Sequence, residues 1–163
     1  MYYTPNFSYN HHMTKPMDVG PQTVSCKIRL LSRLTVACAG RLLKEFDISP
    51  VQASVLYELA VGETSPSRIA AHVGVDASIL SRQIRLMEAS ELIERHVDER
   101  NRTRVLLKLT KTGRRVAREI DPIAEQVQSI LTAALTKDEW KTFERCVEKL
   151  NAALQEYSGP GQE

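Results

Sequence analysis

The sequence has few cysteines and no long apolar run, and each of these absences excludes a class of protein. Its three cysteines, Cys26, Cys38 and Cys146, form no Cys-x-x-Cys pair. They argue against a disulfide framework and indicate reduced thiols in a cytoplasm. No apolar stretch approaches the roughly 20 residues that a membrane-spanning helix needs, and residues 1–20 lack the apolar segment of a signal peptide. We therefore expect a cytoplasmic protein without a membrane partner.

Catalytic motifs are missing as well. The chain has no Gly-rich phosphate loop, no nucleophile elbow and no His-Glu-x-x-His sequence. Of its four histidines, His11 and His12 lie in the N-terminal segment, His72 falls at a solvent-facing helix position, and His96 begins a predicted hairpin. We expect no catalytic residue, no metal site and no cofactor.

Charge is distributed unevenly along the 163 residues. Residues 66–115 contain 11 Lys and Arg against 6 Asp and Glu, whereas the remainder contains 11 against 14. A basic centre between acidic ends indicates a segment that binds a polyanion. Chance clustering of solvated charge explains the counts equally well, so the pattern needs support from structure.

Apolar spacing and capping residues predict helices on both sides of the basic centre. Residues 1–20 show no periodicity and are expected to be a flexible arm. A long first helix is predicted by the 4-3-4-3-4 spacing of Val24, Ile28, Leu31, Thr35, Cys38 and Leu42. Two Ser-Pro pairs, at residues 49–50 and 65–66, predict the starts of the next two helices, and Asp76 can cap a fourth. Gly62 and Gly74 are expected to end the second and third helices.

The central segment has the pattern of a winged helix. Two short helices joined by a Gly-containing turn, "IAAHVGVDASILSRQI", form a helix-turn-helix pattern. The apolar stretches "LIERHV" and "VLLKLT" flank the polar "DERNRTR" (residues 98–104), which predicts a β-hairpin with an arginine-rich tip. The predicted fold class is therefore mainly α with a small β-hairpin wing (α+β).

Two apolar stripes follow the predicted hairpin. Thr136 and Glu139 form a capping box at the start of the last helix. Its stripe consists of Trp140, Phe143, Val147, Leu150, Leu154 and Tyr157. The preceding helix has a similar stripe, which Pro122 is expected to bend, made of Val116, Ile120, Ile123, Val127, Ile130 and Ala134. These faces could pack within one chain, but together with the first helix they favour a dimer.

Residues 49–115 resemble the MarR family of bacterial transcription regulators, most specifically in the Asp-x-Arg tip and the following "LTKTGR". The resemblance implies a winged helix-turn-helix domain over 49–115 and dimerisation helices over 21–48 and 116–158. Residues 159–163 are expected to be a disordered tail. It further implies a homodimeric repressor that binds double-stranded DNA at a pseudo-palindromic operator. Glu91 departs from the pattern, because the family usually has Gly there. A left-handed backbone would strain a glutamate by about 1 kcal/mol.

The expected DNA-binding residues lie on the predicted helices and at the hairpin tip. They are Ser65, Ser67, Ser78, Ser81, Arg82, Arg85, Arg100, Arg102 and Arg104. Arg82 or Arg85 could bind guanine in the major groove. Arg102 at the tip suits a narrow A·T-rich minor groove. The resemblance implies that Asp98 and Arg100 bond each other and brace the wing.

The sensing mechanism stays open at this level. Family members usually release DNA when a small molecule, often an aromatic acid, binds between the dimer helices and the winged helix, and Arg29 and Arg33 could pair with its carboxylate. The alternative is a thiol switch at Cys26, one residue from the reactive position of peroxide-sensing relatives, although the tyrosines that attend that position are absent. Cys38 is expected in the core. A third alternative is a dimeric interaction module that has lost DNA binding.

Overall fold

The computed structural model describes residues 23–62 and 64–158, so the predicted arm over 1–20 and tail over 159–163 lie outside the described residues. Contacts within the chain divide it into two units, residues 1–35 and 36–163. The secondary structure is mostly helical. Its elements are α1 (Val24–Leu42), a short 3-10 turn (Leu43–Phe46), α2 (Pro50–Val61), α3 (Pro66–Val73), α4 (Ala77–Ala89), β1 (Ile93–Val97), β2 (Val105–Leu109), α5 (Lys111–Thr132) and α6 (Lys137–Ser158). The predicted fold class is confirmed. None of the described helices is long and apolar enough to cross a membrane.

Most predicted helix starts are confirmed by their capping contacts. At the start of α2 the Ser49 N–H donates to Gln52 Oε1 at 2.8 Å, and the Gln52 N–H donates to Ser49 Oγ at 3.2 Å. Thr136 and Glu139 form the same reciprocal contact before α6, and hydrogen bonding from Thr136 lowers the pKa of Glu139. Asp76 does precede α4, but its side chain makes no capping hydrogen bond to the described backbone.

The first helix forms where the sequence predicts it, but the first part of its apolar stripe is exposed within the described chain, whereas Leu42 at its end packs against the core. α1 contains no buried residue, and Val24, Ile28 and Leu31 are all exposed. Cys38, which was expected in the core, is half-buried, so that expectation is wrong. The spacing predicts an apolar face, and among the residues that the structure describes none buries Val24, Ile28 or Leu31.

The hydrophobic core lies in the second unit, among α2, α3, α4, the hairpin and the first half of α5. Its most deeply buried side chains are Leu43, Val55, Leu56, Ile69, Leu80, Ile84, Met87, Ile93, Leu107 and Ile120. Each such aliphatic side chain contributes about 1.5–3 kcal/mol by leaving water. The predicted stripe of α5 is buried only at its beginning, because Ile130 is exposed and Ala134 lies beyond the end of the helix.

Both edges of β2 form backbone hydrogen bonds, which fix the hairpin to the core. β1 and β2 pair antiparallel in the register Ile93 to Leu109 and Val97 to Val105. On its other side, the Leu107 N–H donates to the Thr64 carbonyl at 2.9 Å, and the Thr64 N–H donates back at 3.3 Å. Leu107 itself is fully buried. The strand that leads away from the wing is thus bonded to β1 and to the segment before α3.

Gly113 allows α5 to begin directly against the hairpin. Thr110 caps the helix by accepting the Gly113 N–H at 3.0 Å, and the Thr110 N–H donates to the Leu92 carbonyl at 3.1 Å. A Cβ added at Gly113 would lie 1.9 Å from that same Leu92 oxygen. No larger residue fits without moving the backbone, which explains the glycine of "LTKTGR" in physical terms.

α4 ends in a left-handed residue, as the departure at Glu91 suggested. The φ angle of Glu91 is 54°. The Glu91 N–H donates to the Glu88 carbonyl at 3.0 Å, and the Leu92 N–H donates to the Met87 carbonyl at 2.9 Å. These two bonds define a Schellman helix end, in which glycine normally occupies the left-handed position. A residue with a Cβ is strained in that conformation.

We expect Glu91→Gly to raise the free energy of unfolding by up to about 1 kcal/mol. Relief of the left-handed strain opposes the extra freedom that glycine gives the unfolded chain. Ser90→Gly is the matched control, because Ser90 has a φ of −90° and gains no relief. Urea denaturation of both variants measures the difference. A Glu91→Gly variant that loses as much stability as Ser90→Gly contradicts the strain at this position.

Candidate nucleic-acid interface

The orientation of α4 is set by its buried side. Leu80, Ile84 and Met87 are at most 2% exposed and face the core. Because a helix repeats every 3.6 residues, the opposite side carries polar residues that all lie in solvent, namely Ser78, Ser81, Arg82 and Arg85. The solvent side of α4 thus groups four polar side chains, flanked by the exposed Ile79 and Leu86, and a major groove admits an α-helix.

The turn before α4 places α3 against it. Gly74 has a φ of 68°, and its N–H donates to the Ala70 carbonyl at 2.9 Å. At the start of α3, Ser65 Oγ accepts the Arg68 N–H at 3.4 Å and lies 3.1 Å from Ser67 Oγ. The Ser65 oxygen is thus engaged in capping, whereas Ser67 is exposed. Of the two predicted serines, Ser67 has the side chain more available for a phosphate.

The wing tip is ordered by two short polar side chains. The Asp98 carboxylate accepts the backbone N–H of Arg100 at 2.9 Å, and the Asp98 N–H donates to the Arg104 carbonyl at 3.0 Å. Asn101 Oδ1 accepts from the backbone N–H and the hydroxyl of Thr103, at 3.1 and 2.6 Å. Asp98 and Arg100 are therefore joined through the Arg100 backbone, which leaves the guanidinium in solvent. The sequence interpretation missed Asn101 and Thr103, although Asn is a common turn residue.

The arginines on this surface differ from others nearby in their pairing. Across residues 23–62 and 64–158, none of five exposed arginines forms an ion pair with a described carboxylate: Arg82, Arg85, Arg100, Arg102 and Arg104. Arg95, by contrast, donates to Glu88 at 2.6 Å and ties β1 to α4. The sequence analysis did not predict the ion pair between Arg95 and Glu88, because the two residues lie on different elements. No described carboxylate neutralises these five cations of α4 and the wing, an arrangement that favours the binding of a polyanion.

The predicted sensor residues lie on α1, in the first of the two units. Arg29 Nη2 donates to Cys26 Sγ at 3.7 Å, a contact that the sequence did not indicate. Arg33 is exposed one turn further along, and Cys26 is half-buried. In the second unit, His72 Nδ1 lies 3.0 Å from Glu58 Oε2. No group of His, Cys, Asp and Glu that could hold a metal ion occurs in the described part of the chain. Whether any α1 residue senses a ligand stays a prediction.

Comparison with known proteins gives the family. A MarR family model matches residues 46–102, from the turn before α2 into the wing. The HTH-type transcriptional regulator YdcH of Bacillus subtilis is 31% identical over 105 residues, which cover 61% of this chain and 71% of YdcH. The chain belongs to the MarR family. As a member of this family, it is a DNA-binding transcription regulator and not an enzyme.

Solved structures of MarR-family regulators have the same fold. The Staphylococcus aureus MepR–DNA complex aligns with a TM-score of 0.72 at 24% identity, over 80% of this chain and 98% of MepR. Bordetella bronchiseptica BpsR, whose DNA binding is regulated by 6-hydroxynicotinic acid, aligns with a TM-score of 0.72 at 23% identity, over 80% of this chain and 94% of BpsR. At these identities the likeness concerns the fold.

The wing contacts predict that Asp98→Ala loosens residues 98–104, whereas Arg100→Ala leaves them ordered. Only the first change removes the carboxylate that accepts the Arg100 N–H, and Arg100→Ala keeps that N–H. Backbone 15N relaxation measures the result as order parameters across the loop. Glu99→Ala is the control for removing a negative charge from the same loop. Equal loosening by Asp98→Ala and Arg100→Ala contradicts a brace through the backbone.

Proposed function

We propose that this protein is a homodimeric repressor that binds a pseudo-palindromic operator through α4 and the wing and is released by a small-molecule effector. The observation that carries the proposal is the placement of the unpaired arginines. They lie on the outer side of α4 and at the hairpin tip, two elements that the core holds in fixed positions. This arrangement presents two separate groups of cations to one duplex.

The polar face of α4 suits the major groove. Arg82 and Arg85 are exposed and have no described ion-pair partner that must be displaced. A guanidinium can bind O6 and N7 of guanine with two parallel hydrogen bonds. Ser78 and Ser81 lie on the same exposed side and can donate to phosphates, which fixes the helix in register. Ser67 at the start of α3 extends the phosphate-binding side.

The wing suits an adjacent minor groove. Arg102 lies at the middle of the loop, and its backbone neighbours Asn101 and Thr103 are bonded to each other. A loop ordered in this way carries the guanidinium into the groove without first losing much entropy. Narrow A·T-rich minor grooves concentrate negative potential. Arg100 and Arg104 flank the tip and can contact the phosphates on either side.

A dimer is supported by the apolar side chains that the described chain leaves in solvent. On α1, Ile28 is 51% exposed and Leu34 is 53% exposed, and on α6 Leu150 is 49% exposed. Soluble monomers rarely expose large contiguous apolar patches. Two copies joined through these helices would hold two α4 helices about one turn of DNA apart, as the two halves of a pseudo-palindrome require.

The effector is proposed from the family. BpsR is a MarR-fold regulator whose DNA binding responds to 6-hydroxynicotinic acid, so a small organic acid is the effector class that we propose for this chain. Binding such a ligand releases DNA only if the ligand prefers the conformation that does not fit the operator. The ligand must therefore contact an element that also positions α4 or the wing.

A salt-titrated gel shift tests the proposal as a whole. The full-length protein is titrated against the DNA upstream of its own gene and against a scrambled duplex of equal composition. We expect specific binding that weakens steeply with salt, since each neutralised phosphate releases counterions. Equal affinity for both duplexes would contradict operator recognition. Absence of binding at low salt would favour the interaction module over the repressor.

Single arginine variants test whether α4 and the wing contact different grooves of the DNA. We expect Arg82→Ala or Arg85→Ala to cost about 1–3 kcal/mol of binding free energy and to relax specificity at one base pair. Arg102→Ala is expected to weaken operators with A·T-rich flanks more than operators with G·C-rich flanks, because the tip senses groove width. Binding is measured on one set of labelled duplexes at one salt concentration.

The matched control for lost charge is Lys141→Ala on α6, an exposed cation outside α4 and the wing. It is expected to lower affinity slightly and equally on every duplex. If Arg102→Ala behaves like Lys141→Ala on both flank types, the wing does not enter the minor groove.

The proposed dimer is tested by a charge placed in the apolar stripe of α6. We expect Leu150→Glu to shift the chain from dimer to monomer in light scattering, because an unpaired carboxylate is costly in an apolar interface. Lys149→Glu, the neighbouring exposed position, is expected to stay dimeric. Circular dichroism shows whether both variants keep their helices. A folded Leu150→Glu variant that remains dimeric would remove α6 from the interface.

A further inference from the structure

Two large apolar side chains of α4 lie in solvent, on the helix that the proposed function places in a major groove. Ile79 is 46% exposed and Leu86 is 47% exposed. Neither belongs to the hydrophobic core or to the half-buried side chains that pack against it. Single exposed apolar residues are common on protein surfaces, so what each of these two can contact depends on its position along the helix.

The two side chains lie on the same flank of α4 but at different ends. Ile79 is the third residue of the helix and Leu86 is the tenth. This spacing is nearly two helical turns, and at about 1.5 Å per residue it separates them by about 10 Å along the axis. The opposite flank faces α3, because Ser81 there lines a small cavity together with Ser67 and Ala70 of α3. Ile79 and Leu86 are therefore turned away from α3.

The first turn of α4 places Ile79 beside the polar residues that are proposed to contact DNA. Ile79 directly follows Ser78, and Arg82 lies three residues further on, on the adjacent turn. Both of these polar residues are exposed. Recognition helices of the helix-turn-helix class contact base edges with their N-terminal residues. Because the Cα–Cβ bonds of a helix tilt towards its N-terminus, the Ile79 side chain extends towards that end.

The chemistry of the Ile79 side chain selects one base. In the major groove thymine presents a methyl group at C5, whereas the other bases present hydrogen-bond donors and acceptors there. An isoleucine has no atom that could pair with such polar groups and would leave them unsatisfied. Its branched Cβ also holds one χ1 rotamer in a helix, so the side chain loses little freedom on contact.

We infer that Ile79 contacts the C5 methyl group of a thymine in each half-site of the operator. The inference rests on the proposed function, because it requires α4 in the major groove. It adds a second kind of base reading to that function, since Arg82 and Arg85 suit guanine through hydrogen bonds and Ile79 suits thymine through an apolar contact. Burial of one methyl group changes a binding constant about fourfold.

Removal of single methyl groups from the DNA tests the contact. Deoxyuridine keeps the hydrogen-bonding groups of thymidine and lacks only the C5 methyl. The duplex from upstream of the gene is synthesised with deoxyuridine in place of one thymidine at a time, and the full-length protein is titrated against each duplex at one salt concentration. We expect an affinity loss of about fourfold at one thymine in each half-site, and of about 15-fold when both are replaced.

Ile79→Ala and Leu86→Ala form a matched pair for this experiment. Both remove an equally exposed apolar side chain from the same flank, and alanine favours a helix, so both variants are expected to keep the circular dichroism of the parent. Ile79→Ala is expected to bind the thymine and uracil duplexes with equal affinity at the responding position. Leu86→Ala is expected to keep the fourfold difference, because Leu86 lies about 10 Å further along α4.

Three results would overturn the inference: no uracil duplex that binds the parent protein more weakly, an Ile79→Ala variant that keeps the fourfold difference, or equal loss of that difference in Leu86→Ala. The comparison with the scrambled duplex separates this inference from the proposed function. Equal affinity for operator and scrambled DNA removes both. Specific operator binding with a uracil response that Ile79→Ala leaves unchanged keeps the proposed function and removes Ile79 from base reading.

Discussion

The burial of one side of α4 is the constraint on which the rest of the interface depends. Leu80, Ile84 and Met87 fix the rotation of the helix about its own axis because they are held in the core. Rotation of α4 about its axis would expose these side chains to water, at a cost of about 1.5–3 kcal/mol for each. The helix therefore keeps the orientation in which its arginines are exposed. Arg82 and Arg85 therefore face outward, although no ion pair with a described carboxylate holds them there. In the proposed function, the core thus sets the direction of the side chains that contact DNA.

The same core also fixes the position of the wing, through contacts at the base of the hairpin. Leu107 is buried and bonds to Thr64, and α5 starts against the Leu92 carbonyl because Gly113 has no Cβ. The hairpin is thus held at its base while its tip stays in solvent. Such an arrangement keeps the distance between α4 and Arg102 nearly constant, which a protein needs to contact neighbouring grooves together.

Features that depend on residues close together in the sequence were predicted correctly for much of this fold. Features that depend on packing between distant residues were not. Caps such as Ser49 with Gln52 and the arginine-rich hairpin depend on residues close in sequence, so they could be read directly. The α1 stripe shows the limit, because spacing reveals an apolar face but not whether the same chain covers it. Asp98 was expected to bond Arg100, but a residue pattern does not distinguish a guanidinium from a backbone N–H. The ion pair between Arg95 and Glu88 was not predictable, since β1 and α4 meet only after folding.

The most direct measurement of the central claim is a pair of footprints on the bound operator. Methylation protection reports guanine N7 in the major groove, and hydroxyl-radical cleavage reports the sugars that line the minor groove. A dimer that binds through α4 and the wing predicts two protected major-groove segments about one helical turn apart, each with a protected minor groove beside it. A single protected segment would contradict the dimer, and protection of the backbone without any guanine N7 would contradict base reading by α4.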